Sequence, residues 1–213
     1  MGWHPKNDNF TQMNNAKLRL SEEELRLVTD PGFILTKNAI IDKVYALFGL
    51  LAEDISGKID FPEEVAVISP KIAKGENYLG LPYVMFDYPR FFSAVDVMAV
   101  RFFFWWGNFF SITLHLKGRF REMASDTMLR QYSFLSTHGY SLAISEDEWQ
   151  HHFGIDNYRE IKNMDINEFR LYMTGLPHIK IARNFPLTSW EDMRHHFAKA
   201  YEELGGLIAQ PVK

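Results

Sequence analysis

Two stretches of this sequence share one pattern of chemistry-bearing residues. Glu148-Trp149-Gln150-His151-His152-Phe153 is echoed by Asp192-Met193-Arg194-His195-His196-Phe197. Each sets an acid three residues before a histidine, and on a helix that spacing projects both side chains from one face. Carboxylate with imidazole suits zinc, iron or manganese. Glu-x-x-His on two helices is also part of the carboxylate-bridged di-metal sites of helical bundles. The candidate metal ligands are therefore Glu148, His151, His152, Asp192, His195 and His196. A plainer account competes. Ser145-x-x-Glu148 and Thr188-x-x-Glu191 are capping boxes in form, with Ser189-x-x-Asp192 as an alternative, so the acids are explained as helix-start residues. No further pair of bridging carboxylates stands out. A metal-dependent enzyme is therefore the alternative reading and not the leading one.

The second constellation lies in VMAVRFFFWWGNFFSITLHLKG, residues 97–118, the most apolar and aromatic run of the chain. Gly107-Asn108 separates two segments rich in residues that suit a pleated surface, which predicts a β-hairpin. A two-residue turn would pair Trp106 with Phe109. A three-residue turn, Trp106-Gly107-Asn108, pairs Trp105 with Phe109 and exchanges the matching of faces. The second register is preferred because it sorts the side chains. Phe102, Phe104, Trp106, Phe110, Ile112, Leu114 and Leu116 form a dry face, while Arg101, Phe103, Trp105, Phe109, Ser111, Thr113 and His115 form an amphipathic one. Asn108 is expected in the left-handed position, which Asn tolerates better than most residues.

On the amphipathic face, Arg101, Trp105, Ser111, Thr113 and His115, approached by Asp87, Tyr88 and Arg90, are the candidate ligand-binding residues. Asp, His and a hydroxyl are the ingredients of nucleophilic catalysis. Ser111 lies in mid-strand, however, with none of the exposure of a nucleophile elbow, and strand hydroxyls commonly serve packing and cross-strand hydrogen bonds. Arg101 is the only charge between Asp96 and Lys117. A buried guanidinium keeps its proton and needs compensation, either by Asp87 or by a bound carboxylate or phosphate.

The elements that must position these groups read as follows. Ser21 and Glu24 form a capping box for a short helix, which stops before the turn Asp30-Pro31-Gly32. A helix from Thr36 to Ile55 carries the stripe Ile41, Val44, Phe48, Leu51 and Ile55. Residues 65–68 fit a short strand or the end of a short helix after Pro62, and Pro70 and Gly75 flank a loop. Residues 81–88 form a strand stopped by Pro89. After the hairpin come a helix over 119–135, a strand over 139–144, and a short helix over 145–153. A helix over 166–174 capped by Asp165, a strand over 178–182 and a closing helix over 188–204 complete the chain. Strands and helices alternate without a βαβ rhythm, so the fold class is α+β: an antiparallel sheet of about four to six strands centred on the hairpin at 97–117, packed with helices. Residues 1–20 read as a polar arm and 21–213 as a single α+β domain.

With 46% hydrophobic residues and 18 Phe among its 213 residues, the chain can bury a thick core or line an aromatic cavity. The net charge of −4 removes the generic electrostatic case for nucleic acid. The absence of cysteine rules out disulfides, thiolate ligands and a cysteine nucleophile, and fits a cytoplasmic protein. The first residues lack the pattern of a secretory signal, and Lys6 stands where a myristoylation motif needs Ser or Thr. Residues 97–116 approach the ~20 apolar residues of a membrane span, but Arg101, Gly107-Asn108 and His115 argue against one. Phosphate-loop and dinucleotide signatures are missing. The leading expectation is a small-molecule binding domain for an apolar or anionic ligand, with an aromatic-lined pocket between sheet and helices. A homo-oligomer is compatible with it, no particular cofactor is implied, and a structural or interaction domain is the third reading.

Overall fold

A computed structural model of the chain describes residues 18–208; most of the expected N-terminal arm therefore lies outside the described residues. The chain divides into two compact units between Lys43 and Val44. In the first unit, helix α1 spans Glu22–Thr29. Ser21 Oγ accepts from the Glu24 amide at 3.2 Å, and Glu24 Oε2 accepts from the Ser21 amide at 2.7 Å, completing the capping box. Asp30-Pro31-Gly32 does more than end α1. Asp30 Oδ1 accepts from the Gly32 amide at 2.8 Å, Pro31 occupies the first helical position, and α2 runs Pro31–Ile55 without waiting for Thr36.

The second unit is built on a seven-stranded, wholly antiparallel sheet. The strands are β1 (Lys71–Tyr78), β2 (Leu81–Phe92), β3 (Val97–Trp105), β4 (Phe109–Lys117), β5 (Ser141–Ala143), β6 (Tyr158–Glu160) and β7 (His178–Pro186). Their spatial order is β1-β2-β3-β4-β7-β5-β6. The fold is α+β with an antiparallel sheet centred on the hairpin, and two strands not foreseen carry it beyond six. β1 is a polar edge strand, with Lys71, Lys74 and Glu76 in it, so it lacks the apolar alternation that marks a strand. β6, at the other edge, has three residues.

The hairpin has the preferred register: Trp105 pairs with Phe109, Phe103 with Ser111 and Arg101 with Thr113. The left-handed residue of its turn is Gly107, with φ of 71°, and not Asn108. Glycine takes that conformation without steric penalty, and Asn108 instead donates from Nδ2 to the Trp106 carbonyl at 2.9 Å.

The dry face is closed by helices. Val44, Phe48, Leu51 and Ile55 of α2 are fully buried, and Phe48 packs on Phe86 of β2 and on Phe197. Phe197 belongs to α7 (Met193–Gly205), whose Met193, Phe197 and Tyr201 form a buried stripe. Phe197 meets Phe102 edge-on at 5.1 Å and Phe110 at 5.9 Å. The closing helix starts five residues late because Leu187–Asp192 is a 3₁₀ segment, and no side-chain hydrogen bond caps its start. The capping role expected of Thr188 or Ser189 is therefore not filled.

Four other elements differ from expectation or complete the fold. Pro89 does not stop β2; the strand continues to Phe92 through a register shift between Asp87 and Arg90. Residues 63–66 form a short helix, α3 (Glu63–Ala66). The helix expected over 119–135 is two, α4 (Arg119–Arg130) and α5 (Tyr132–Thr137), divided at Gln131. The helix α6 (Ile166–Gly175) is capped by Asp165 as expected, its carboxylate accepting from the amides of Asn167 and Glu168. No helix of the described residues is long and apolar enough to cross a membrane.

Candidate functional site

The amphipathic face of the sheet is covered by a loop, residues 144–157, where a helix over 145–153 was expected. Ser145 Oγ accepts from the Asp147 amide at 3.1 Å and Asp147 Oδ1 from the Trp149 amide at 2.9 Å, two overlapping side-chain turns of the kind Ser and Asp form locally, and no helix follows them. Glu148, freed from any capping role, turns to the sheet. Its Oε2 lies 3.0 Å from His115 Nε2 and its Oε1 accepts from Lys117 Nζ at 2.6 Å.

Four further hydrogen bonds stitch this loop down. Tyr78 Oη accepts from the amides of His151 and His152 at 2.7 and 3.0 Å. Lys180 Nζ donates to the Gln150 carbonyl. Arg101 Nη1 lies 3.1 Å from His151 Nε2. A guanidinium has no acceptor, so that nitrogen of His151 is the acceptor and the ring proton sits on Nδ1. His115 has the other tautomer, because a carboxylate only accepts and Nε2 must donate to Glu148.

At the centre is the pair foreseen from sequence. Arg101 donates from Nε to Asp87 Oδ1 and from Nη2 to Oδ2, both at 2.8 Å. The pair is two parallel charge-assisted bonds, and both side chains are almost buried. The register of β2 explains the partner: Asp87 lies directly opposite Arg101. Past Asp87 the strand carries one extra residue, so that Arg90 lies opposite Ala99. Three residues apart in a regular strand, Asp87 and Arg90 would point to opposite faces. The bulge turns both onto the same one.

Two spaces adjoin Arg101. The outer one is a cleft of about 230 Å³ lined by Lys71, Ala73, Met85, Asp87, Arg90, Phe92, Arg101 and Trp149. The inner one is a chamber of about 10 Å³ bordered by Phe92, Ala99, Arg101, Thr113, His115, His151 and Lys180. Phe92 and Arg101 are common to both. Trp149, half-exposed, packs on Phe92 and on the His115 ring.

The electrostatics of this face are those of a cationic interior. Burial, then the charges of Lys180, His178 and Arg101, pushes His115 down to about 2. Burial and Arg101 hold His151 well below the usual imidazole range. Burial and Lys180 bring His178 to about 4. All three are neutral at physiological pH. Lys180, 2% exposed, is pushed down to about 7 by burial first and Arg101 second. With the histidines neutral, the cations of this face, Arg90, Arg101, Lys117 and Lys180 among them, outnumber the two acids that pair there, Asp87 and Glu148, which Arg101 and Lys117 already engage.

The foreseen ligand-binding residues divide accordingly. Asp87, Arg90 and Arg101 line the outer cleft; Arg101, Thr113 and His115 border the chamber. Trp105 and Ser111 are on the same face but line neither space. Trp105 donates from Nε1 to the Tyr78 carbonyl at 3.2 Å and packs on Tyr78 and Phe109. Tyr88 falls on the opposite face, stacked on Tyr201, as the alternation of neighbouring strand residues after Asp87 requires. The site is less aromatic than expected, since Phe48, Phe86, Phe102, Phe104, Phe110, Phe185 and Phe197 pack together on the dry face.

The foreseen metal ligands are not brought together. Glu148 and His151 are on the charged face with different partners, and His152 lies beside them, its Nδ1 accepting from the Gly154 amide. His196 stacks on Phe185, which pairs with Phe110 on the dry face, while His195 and Asp192 are exposed. The sheet separates the two pairs. Among the described residues no three His, Cys, Asp or Glu side chains form a group able to hold a metal.

Sequence reasoning passed over Lys180. In a strand reading His-Ile-Lys-Ile-Ala, the alternation assigns Lys180 and His178 to one face and the isoleucines to the other, and a lysine there reads as solvent-facing. The available signal was register: Lys180 lies opposite His115, on the face already singled out. The chain matches no family model, no curated protein and no solved structure in comparisons with each.

Proposed function

We propose that the protein binds a small anionic molecule, a carboxylate or phosphate with a compact apolar body, in the cleft beside Arg90 and Arg101. The observation that carries this reading is Arg90 Nε, which is buried with no hydrogen-bond partner among the described residues while the side chain lines the cleft. A guanidinium donor removed from water and left unpaired is costly, and a turn of the Arg90 side chain onto an anion in the cleft relieves that cost. Charge supports the same occupant. Lys71, Arg90 and Arg101 line the cleft against a single acid, Asp87, already engaged by Arg101. Met85, Phe92 and Trp149 supply the apolar wall. At about 230 Å³ the cleft is below the usual ~300–1,000 Å³ of ligand pockets, so the ligand is a small metabolite and not a nucleotide.

Arg101 itself is structural, since Asp87 and His151 take three of its donors. The test therefore turns on Arg90. Phosphate and short carboxylates are expected to raise the melting temperature of the wild type saturably, and Arg90→Met to abolish that rise. A wild type indifferent to every such anion, or an Arg90→Met variant that responds equally, overturns the reading.

The interaction-domain reading has one observation of its own. Leu25, Leu27, Val28, Phe33, Ile34 and Leu35 of the first unit are all exposed, more apolar surface on one short segment than isolated surface residues explain. A monomer at high micromolar concentration by light scattering would remove self-association from that reading.

A further inference from the structure

We propose that the inner chamber beside Lys180 is a binding site for one halide-sized monoanion, held by the Lys180 ammonium and separate from the outer cleft. The argument starts from charge. The Arg101 guanidinium is met by Asp87, and the Lys117 ammonium by Glu148. Of the two cations that border the chamber, Lys180 is the one without an acid partner, and among the described residues its hydrogen bond goes to the Gln150 backbone carbonyl. Asp147 and Glu148 act on it only at a distance: Asp147 is exposed and holds the Trp149 amide and Gln150, and Glu148 is engaged by His115 and Lys117. The Tyr158 ring lies 5.4 Å from Nζ and supplies a weaker attraction. A buried ammonium without a counter-charge has two outcomes: it loses its proton or gains an anion.

The chamber is built for the second. Its volume of about 10 Å³ is on the scale of a single water-sized or halide-sized particle. Arg101 and Lys180 supply positive potential at its border, and no carboxylate lines it. His115 and His151 border it as neutral rings, and His178 stands beyond His115 at 5.9 Å between rings. The layer is also short of hydrogen-bond partners: both ring nitrogens of His178, on the same face, are buried without one among the described residues.

Because burial brings the free amine to about 7, anion binding draws a proton onto Lys180. Affinity then weakens by up to about tenfold for each pH unit above that value. The test replaces methanesulfonate, too large for the chamber, with bromide at constant ionic strength. At pH 6 bromide is expected to raise the wild-type melting temperature saturably, and at pH 9 the rise is largely gone. Lys180→Met loses the rise, whereas Arg90→Met keeps it, which separates this site from the outer cleft. A bromide-soaked wild-type crystal, which needs no variant to fold, is expected to show anomalous density in contact with Lys180 Nζ. The proposal is overturned if bromide leaves the wild type unchanged at pH 6, if Lys180→Met responds as the wild type does, or if the chamber holds no anomalous density.

Discussion

The two faces of one sheet are held by different physics. Val100, Phe102, Ile112 and Leu114 alternate along the same strands as Arg101, Thr113 and His115. On the dry face the partners are helices, the contacts are aromatic and aliphatic, and the stabilisation is non-directional burial. On the charged face the partner is an irregular loop fixed by directional bonds to Tyr78, Lys180, Arg101, His115 and Lys117. The dry face tolerates neighbours of roughly the right shape. The charged face requires each donor to meet its acceptor, and every miss is expensive. Stability belongs to the first, and the open cleft, the unpaired Arg90 donor and the near-neutral lysine all belong to the second.

The largest effect is expected at the centre of the charged face. Arg101→Met leaves the Asp87 carboxylate buried and unpaired and should destabilise by about 3–5 kcal/mol in chemical denaturation. A loss under about 1 kcal/mol, the value of an exposed pair, would mean that the pair is solvated and that the two faces are less different than described. On the dry face Leu114→Ala, fully buried, should cost about 2–5 kcal/mol. That loss should be the same at pH 5 and pH 8, because no titrating group is involved.

The charged face should instead make stability depend on pH. His115, His151 and His178 all titrate below the ordinary 6.5 in the folded protein. The unfolded chain binds more protons than the folded one below that value, so stability falls as pH drops from 6.5 toward 4. Lys180, lowered from 10.5 to about 7, acts over a higher window: its penalty is full below 7 and fades as pH rises toward 10.5. His178→Leu, which removes two unpartnered nitrogens, should flatten the acid limb. A wild-type stability level between pH 4 and 6.5 would contradict the neutral assignment of the three histidines. The last effect has the opposite sign: Arg90→Met removes an unpaired buried donor and should stabilise the ligand-free protein by about 1 kcal/mol in chemical denaturation.

What could be read in the sequence follows the same division. The dry face was legible residue by residue, because alternation within the hairpin and helical spacing in α2 and α7 report burial directly. The turn was legible in length but not in which residue takes the left-handed position, since Gly107 and Asn108 both tolerate it. Asp87 opposite Arg101 was legible as a lone charge in an apolar run beside the nearest acid. The loop over 144–157 was not, because Ser145, Glu148 and the histidines fit a helix start equally well until the sheet offers Glu148 two partners. Lys180 was hidden by the rule that a strand lysine faces water, Tyr88 was misplaced against the alternation that follows from Asp87, and Arg90 owes its face to a one-residue bulge that leaves no compositional trace.

The central claim, that the charged face holds a small anion against Arg90, is tested most directly by a crystal structure of the protein with whichever phosphate or carboxylate raises its melting temperature most. The account predicts an anion oxygen within hydrogen-bond distance of Arg90 Nε, with the Arg101–Asp87 pair unchanged beside it. An anion bound elsewhere, or an Arg90 Nε that has turned to a protein acceptor while the cleft holds none, would contradict it.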